Sequence, residues 1–366
     1  MGTINVNKKI KALEGLRGIA FFCVLLCHSE LFGKISESLG AWGVSVFLVL
    51  NGFLMTYNYY DKNRLVEPSL KNNFLFSMNK IKKLYPIHII CTLAMTIFLV
   101  VGEQTETMIN VITKLFLNII LLQAWAPGAA GVSIDRVSWF LCILALTYFF
   151  FPWINKHMER KYTNFDAIKM IIFSLFIMGI IGVIADNCFA SYANWFLYTF
   201  PLSRMWEVII GMNLGFLFVN NQDKNYRYYS LYETAGIVLA IFAVVYSGMI
   251  KNYSSSSIWY INAFIYIFST TILVYFLGFE KGRISHILHN KIIQYFARIS
   301  PYAFIIHCTV FRYLGYLIYH LPGKTFEECQ KIAIQWSGGV YITLGLVITV
   351  IISEVCIKFE KKKKVA

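Results

Sequence analysis

The chain has 366 residues, 58% hydrophobic and only 14% charged, with a formal net charge of +14. So little charge spread over so many apolar runs excludes an ordinary soluble domain. The basic excess falls in the loops between those runs, where membrane topology accounts for it without nucleic acid.

Ten apolar segments long enough to cross a bilayer are expected near residues 15–32, 41–58, 84–101, 137–155, 168–186, 201–219, 231–250, 258–279, 299–319 and 337–357. With the N-terminus inside, the cytoplasmic loops hold 24 Lys and Arg and the opposite loops 6, so both termini are expected in the cytoplasm. Residues 109–126 are apolar enough to be another span, but counting them would put Lys156, Arg160 and Lys161 outside. They are therefore read as a re-entrant or interfacial helix on the outer side. The fold class is an all-α integral membrane protein, a bundle of about ten transmembrane helices. Residues 1–14 form a cytoplasmic N-terminus, 15–357 the transmembrane domain, and 358–366 a basic tail suited to anionic headgroups. The first apolar run carries an arginine and lacks a small-residue cleavage site, so it is expected to stay in the mature protein.

That first run, LEGLRGIAFFCVLLCHSELF, holds Arg17 and His28 with ten residues between them. Eleven helical steps of about 100° bring the two side chains to one face, separated by about 16 Å of helix. Ionisable groups inside a membrane are costly and mark sites by default. A guanidinium suits phosphate, and an imidazole can move a proton near neutral pH. The bland alternatives are snorkelling for Arg17 and a satisfied polar residue for His28. The second run, GAWGVSVFLVLNGFLMTY, offers small residues for close packing and Asn51 to orient a ligand or His28. A basic cluster follows, with Lys80, Lys82 and Lys83 before Pro86, either an anchor or a dock for an anionic donor.

Further along, Arg204 and Glu207 are three residues apart and share a helix face. They form either a structural ion pair or a polar wall from which Glu207 orients an imidazole. The stretch RISPYAFIIHCTVFRYLGYL places His307 inside a span, for packing or ligand contact, and puts Arg312 further out. Arg312 is expected to pair with a carboxylate or reach the outer interface. The eight cysteines form no metal pattern. Six fall in spans as small apolar residues, while Cys188 and Cys329 fall on the outer side, paired or free.

These residues together resemble the membrane-bound acyltransferase-3 family. LEGLRGIAFFCVLLCH resembles its arginine, ten residues, histidine signature. GVSVFLVLNGFL, KIKKLYP, VSWFLCILALTYFFFPW, SRMWEVIIGM and ISPYAFIIH resemble its later motifs in order, from about residue 13 to 315. The resemblance implies a membrane enzyme that takes an acyl group, often acetyl, from cytoplasmic acetyl-CoA. It passes the group to a hydroxyl of an outward-facing glycan or lipid-linked sugar. Carried over by position, Arg17 would help hold the CoA donor and His28 would be the catalytic histidine. The reading of the residues themselves adds Glu207 as a catalytic group that orients an imidazole, Lys82 and Lys83 as a dock for the donor, and Asn51, Trp139, Arg204 and His307 as substrate contacts. Acyl-CoA, the sugar acceptor and membrane lipids are the implied partners, with no permanently bound cofactor and no metal. The expected location is the bacterial cytoplasmic membrane. Three departures stand out: Asn51 replaces a serine, Lys82 and Lys83 replace arginines, and Leu144 and Ala145 occupy positions where many members carry glutamate. A transporter or flippase using the same polar residues as a path is the alternative from another class, and a retired scaffold is a third.

Overall fold

The computed structural model describes residues 9–29, 34–62, 64–100, 107–127, 133–250, 256–319 and 324–365. The segment 1–14 is thus described only from residue 9 onward. All elements of these residues are helical: α1 (Lys11–Ser29), α2 (Lys34–Tyr59), α3 (Leu70–Ile81), α4 (Tyr85–Phe98), α5 (Met108–Ile119), α6 (Trp139–Met158), α7 (Asn164–Cys188), α8 (Pro201–Asn220), α9 (Tyr229–Ile250), α10 (Ser256–Leu277), α11 (Arg283–Leu288), α12 (Lys291–Tyr319) and α13 (Phe326–Val365).

Local chemistry explains where several of them start. Ser69 caps α3 by accepting from the Asn72 amide at 3.1 Å. Thr163 and Asp166 form a reciprocal capping box at α7. Pro86 lies in the first turn of α4 and Pro201 opens α8, positions where a missing N–H costs nothing. The three residues between α3 and α4 turn the chain by 65°, so the pair is a bent element rather than one straight span.

Six helices among the described residues are long and apolar enough to cross a membrane alone, or seven if the bent pair counts once, against the ten expected. Of the three helices that make the difference, α10 contributes only the shorter apolar stretch Ile265–Leu277, and the other two have a physical reason. α1 carries Lys11, Glu14, Arg17 and His28, and α12 carries Lys291, Arg298, His307 and Arg312. The two helices turn much of that polarity toward each other: Arg17 meets the Ala297 carbonyl, and His28 meets His307. A hydrophobic window scores such helices low although each is as long as a span. α7 is the converse, strongly apolar in its middle with little of that stretch buried, as expected of a helix facing lipid.

α5 has twelve residues, about 18 Å of helix, too short to span alone. Its C-terminal end is tied into the protein, where Tyr85 Oη donates to the Ile119 carbonyl at 2.8 Å. The next described residues, 120–127 and 133–138, form turns rather than helix before α6 begins at Trp139. Irregular backbone is tolerated at such a place because protein, not lipid, surrounds it.

At the centre, α2 and α8 run parallel and touch backbone to backbone. A Cβ on Gly52 would lie 2.0 Å from the Val208 carbonyl oxygen, and one on Gly211 would lie 2.0 Å from that of Val49. Only glycine permits this approach, which is why small residues recur at the seam. Gly211→Val is expected to destabilise the protein by at least about 1–3 kcal/mol, the ordinary cost of overpacking. Thermal unfolding in detergent checks it, with Gly339→Ala as the control, since a Cβ at Gly339 meets nothing within 4 Å.

Candidate active site

The C-terminal end of α1 places His28 beside His307 of α12, with ring centroids 5.0 Å apart and planes tilted by 56°. The two helices run parallel, so their contacts keep register. Arg17 Nη2 donates to the Ala297 carbonyl at 3.0 Å, ten residues before His307. The shared face expected for Arg17 and His28 is therefore the face that α1 presents to α12. Phe21 and Phe304 close around His307, each with ring centroids at 6.1 Å. His307 Nδ1 lies 3.1 Å from the Ala303 carbonyl oxygen. A carbonyl only accepts, so Nδ1 carries the hydrogen and Nε2 holds the lone pair. That Nε2 is buried with no hydrogen-bond partner.

Two guanidinium groups, from Arg136 and Arg312, bear electrostatically on His28. Arg312 is only 5% exposed, so it turns into the protein instead of reaching the outer interface. Arg136 has a positive φ of 63° in the turn that leads into α6.

A third group borders this pair. Arg204 Nη1 and Glu207 Oε1 are 2.8 Å apart, and both side chains are buried. The guanidinium stacks on the Tyr198 ring at 5.4 Å, and Tyr198 packs on Trp139 with centroids 5.0 Å apart. Tyr198 also bears on Cys27, the neighbour of His28, so Trp139, Arg204 and Glu207 gather next to the end of α1. Glu207 is engaged by Arg204 as an ion pair.

The remaining candidates lie toward the N-terminal end of α1. Arg17 Nη2 pairs with Glu14 at 2.5 Å, so the cation is partly neutralised. Lys83 pairs with Glu360 at 3.0 Å and sits over the Tyr302 ring at 5.5 Å. Tyr302 is five residues before His307, about 8 Å along the helix. Glu360 belongs to the basic tail, which continues α13 as helix, and it also accepts from Tyr302 Oη at 2.9 Å. Lys82 is exposed and lines an apolar cavity of about 820 Å³ between α3, α5 and α6. Asn51 does not orient His28: its Nδ2 donates to Tyr148 Oη at 2.8 Å, and it lines a small pocket with Asn58, Arg64 and Lys80. All eight cysteines are free thiols, so Cys188 and Cys329 are not paired.

Sequence reasoning missed one feature of this layer. His88 of α4 and Asp135 of the segment before α6 are both fully buried, with Nδ1 and Oδ2 3.7 Å apart. Asn118, Gln123 and Ser138 complete a hydrogen-bonded group around them. The signal was present in the sequence: a histidine two residues after Pro86, and an adjacent Asp–Arg just before Trp139.

This is the architecture of a multi-pass helical membrane protein whose polar side chains converge inside the bundle. The chain belongs to the acyltransferase-3 family: the family's acyltransferase domain matches residues 10–357. It is also similar to the acyltransferase MdmB of Streptomyces mycarofaciens, 24% identical over 230 residues. That match covers 57% of each protein, so the chain spans little more than half the length of this relative. No solved structure matches the chain.

Proposed function

We propose that this protein is an O-acyltransferase of the bacterial cytoplasmic membrane. It transfers acetyl from cytoplasmic acetyl-CoA to a hydroxyl of a cell-surface polysaccharide or lipid-linked sugar. The observation that carries the reading is the His28–His307 pair, a partly buried ring against a fully buried one on the same α1–α12 seam as Arg17. About 16 Å of helix separates Arg17 from His28, a span comparable to an extended pantetheine arm. The CoA phosphates meet Arg17, Lys82 and Lys83 at one end, and the thioester reaches His28 at the other. Asn51, Trp139, Arg204 and His307 shape the path, and Glu207 supports the polar wall.

His28 removes the proton of the acceptor hydroxyl as that oxygen bonds to the acyl carbon. The carbon–sulfur bond of the thioester breaks, and the proton passes to the departing CoA thiolate. In the variant route the imidazole first takes the acyl group, releases CoA, and then hands the group to the hydroxyl. Membranes holding the protein are expected to release CoA thiol from acetyl-CoA only when envelope glycan is present. Thiol release unchanged by removing the glycan would remove the sugar acceptor from this reading.

Arg17→Ala is expected to raise the apparent KM for acetyl-CoA by about tenfold or more, since each 1.4 kcal/mol of lost contact is a factor of ten. Initial rates against donor concentration check it. An unchanged KM would take Arg17 out of the donor site.

A further inference from the structure

The cluster around Asp135 takes no part in the chemistry assigned to His28, yet it is built as a binding site. Asp135 Oδ1 accepts from the Val137 and Ser138 amides at 3.2 and 2.9 Å and so holds the turn into α6. Its Oδ2 is buried and has no hydrogen bond. His88 Nδ1 lies 3.7 Å away, too far for one. His88 is already committed, since Nε2 donates to the Asn118 carbonyl at 2.9 Å and Thr92 Oγ1 approaches Nδ1 at 3.4 Å.

His307 Nε2 and Gln123 Oε1 are also buried without hydrogen bonds, as are the hydroxyls of Ser133 and Thr309 close by in the chain. Asp135 bears electrostatically on His307, and Gln123 Nε2 is fixed on Ser138 at 3.2 Å, beside the Asp135 cap. The carboxylate, imidazole and amide atoms among them are acceptors only, and the two hydroxyls can donate or accept. Leaving such atoms unpaired in the interior costs free energy, and buried polar groups ordinarily find partners. A ligand that fits must therefore present hydrogen-bond donors. The guanidinium groups of Arg136 and Arg312 in the same layer disfavour a cation. Neutral hydroxyls remain as the matching chemistry.

We propose that Asp135 Oδ2, His307 Nε2 and Gln123 Oε1 form the subsite that holds the acceptor's hydroxyls. Asp135 takes one hydroxyl and positions the sugar, and His307 takes a neighbouring hydroxyl, which leaves the proton of the reacting hydroxyl to His28. This deepens the acyltransferase reading and rests on it.

Asp135→Asn separates the two uses of the side chain. Asparagine retains an oxygen for the α6 cap but replaces the second oxygen with a donor. The assay is transfer of labelled acetyl from acetyl-CoA to envelope glycan in membranes holding wild type, Asp135→Asn or Asp135→Ala. For Asp135→Asn the expected result is a wild-type melting temperature, an unchanged KM for acetyl-CoA and at least about a tenfold loss of transfer rate. Asp135→Ala is expected to lose both transfer and thermal stability. Wild-type transfer by Asp135→Asn would show that Asp135 only caps a helix and overturn the subsite. A raised KM for acetyl-CoA would place Asp135 on the donor side and overturn it too. Absence of transfer by the wild type from any acyl-CoA would overturn the acyltransferase reading itself, and the subsite with it.

Discussion

His28→Ala is expected to lower acyl transfer by about 10²–10⁴-fold, the usual contribution of a positioned general base, while the protein still folds in the membrane. The reason lies in what the side chain touches. His28 sits at the end of α1 with its ring against that of His307. Truncation leaves the Phe21–His307 and Phe304–His307 contacts in place. The loss therefore falls on kcat, with the KM for acetyl-CoA little changed, because Arg17 and the lysines are more than a helical turn away. His28→Gln separates size from chemistry: it restores bulk and hydrogen bonding without a titratable nitrogen and is expected to remain inactive. Detergent-extracted yield and melting temperature report folding, and initial transfer rates report the chemistry.

The second large effect is expected at Arg204. Its guanidinium and Glu207 form a buried pair at 2.8 Å on α8, next to the α2–α8 glycine seam. Arg204→Ala strands a carboxylate in the bundle core, and removing one partner of a buried pair costs about 3–5 kcal/mol. Replacing both, Arg204→Met with Glu207→Leu, removes the stranded charge and is expected to recover most of that stability. Unfolding of the two single variants and the double variant measures the coupling. The double variant also tests the proposed role of Glu207: a stable but slow enzyme supports a part in the polar wall, whereas a stable and fully active one assigns the pair to structure alone. A double variant no more stable than Arg204→Ala would contradict the pairing.

Much of this arrangement was legible in the sequence because it rests on periodicity. The 100° step of a helix places Arg17 and His28 on one face, and α12 covers that face. The positive-inside bias and the short apolar run at 109–126 led to a re-entrant element, and α5 is too short to span. The spacing of Arg204 and Glu207 implied contact, which the structure has. What periodicity cannot reveal is partnership between distant segments. His88 and Asp135 are 47 residues apart and meet only because irregular backbone lies between α5 and α6. Asn51 faces Tyr148 rather than His28, a choice made by the packing of α2 against α6. Lys83 finds Glu360 because α13 continues as helix into the tail, where composition suggested only a basic anchor. The reading of ten spans counts α1 and α12 despite their charges, much of which the two helices direct toward each other.

The most direct test of the account is acetyl transfer in sealed inside-out membrane vesicles, with labelled acetyl-CoA added to the exposed cytoplasmic face. Alkali-labile label on glycan inside wild-type vesicles, and none with His28→Ala, is the expected result. Equal labelling by the two, or no label with acetyl-CoA or any other acyl-CoA, would contradict it.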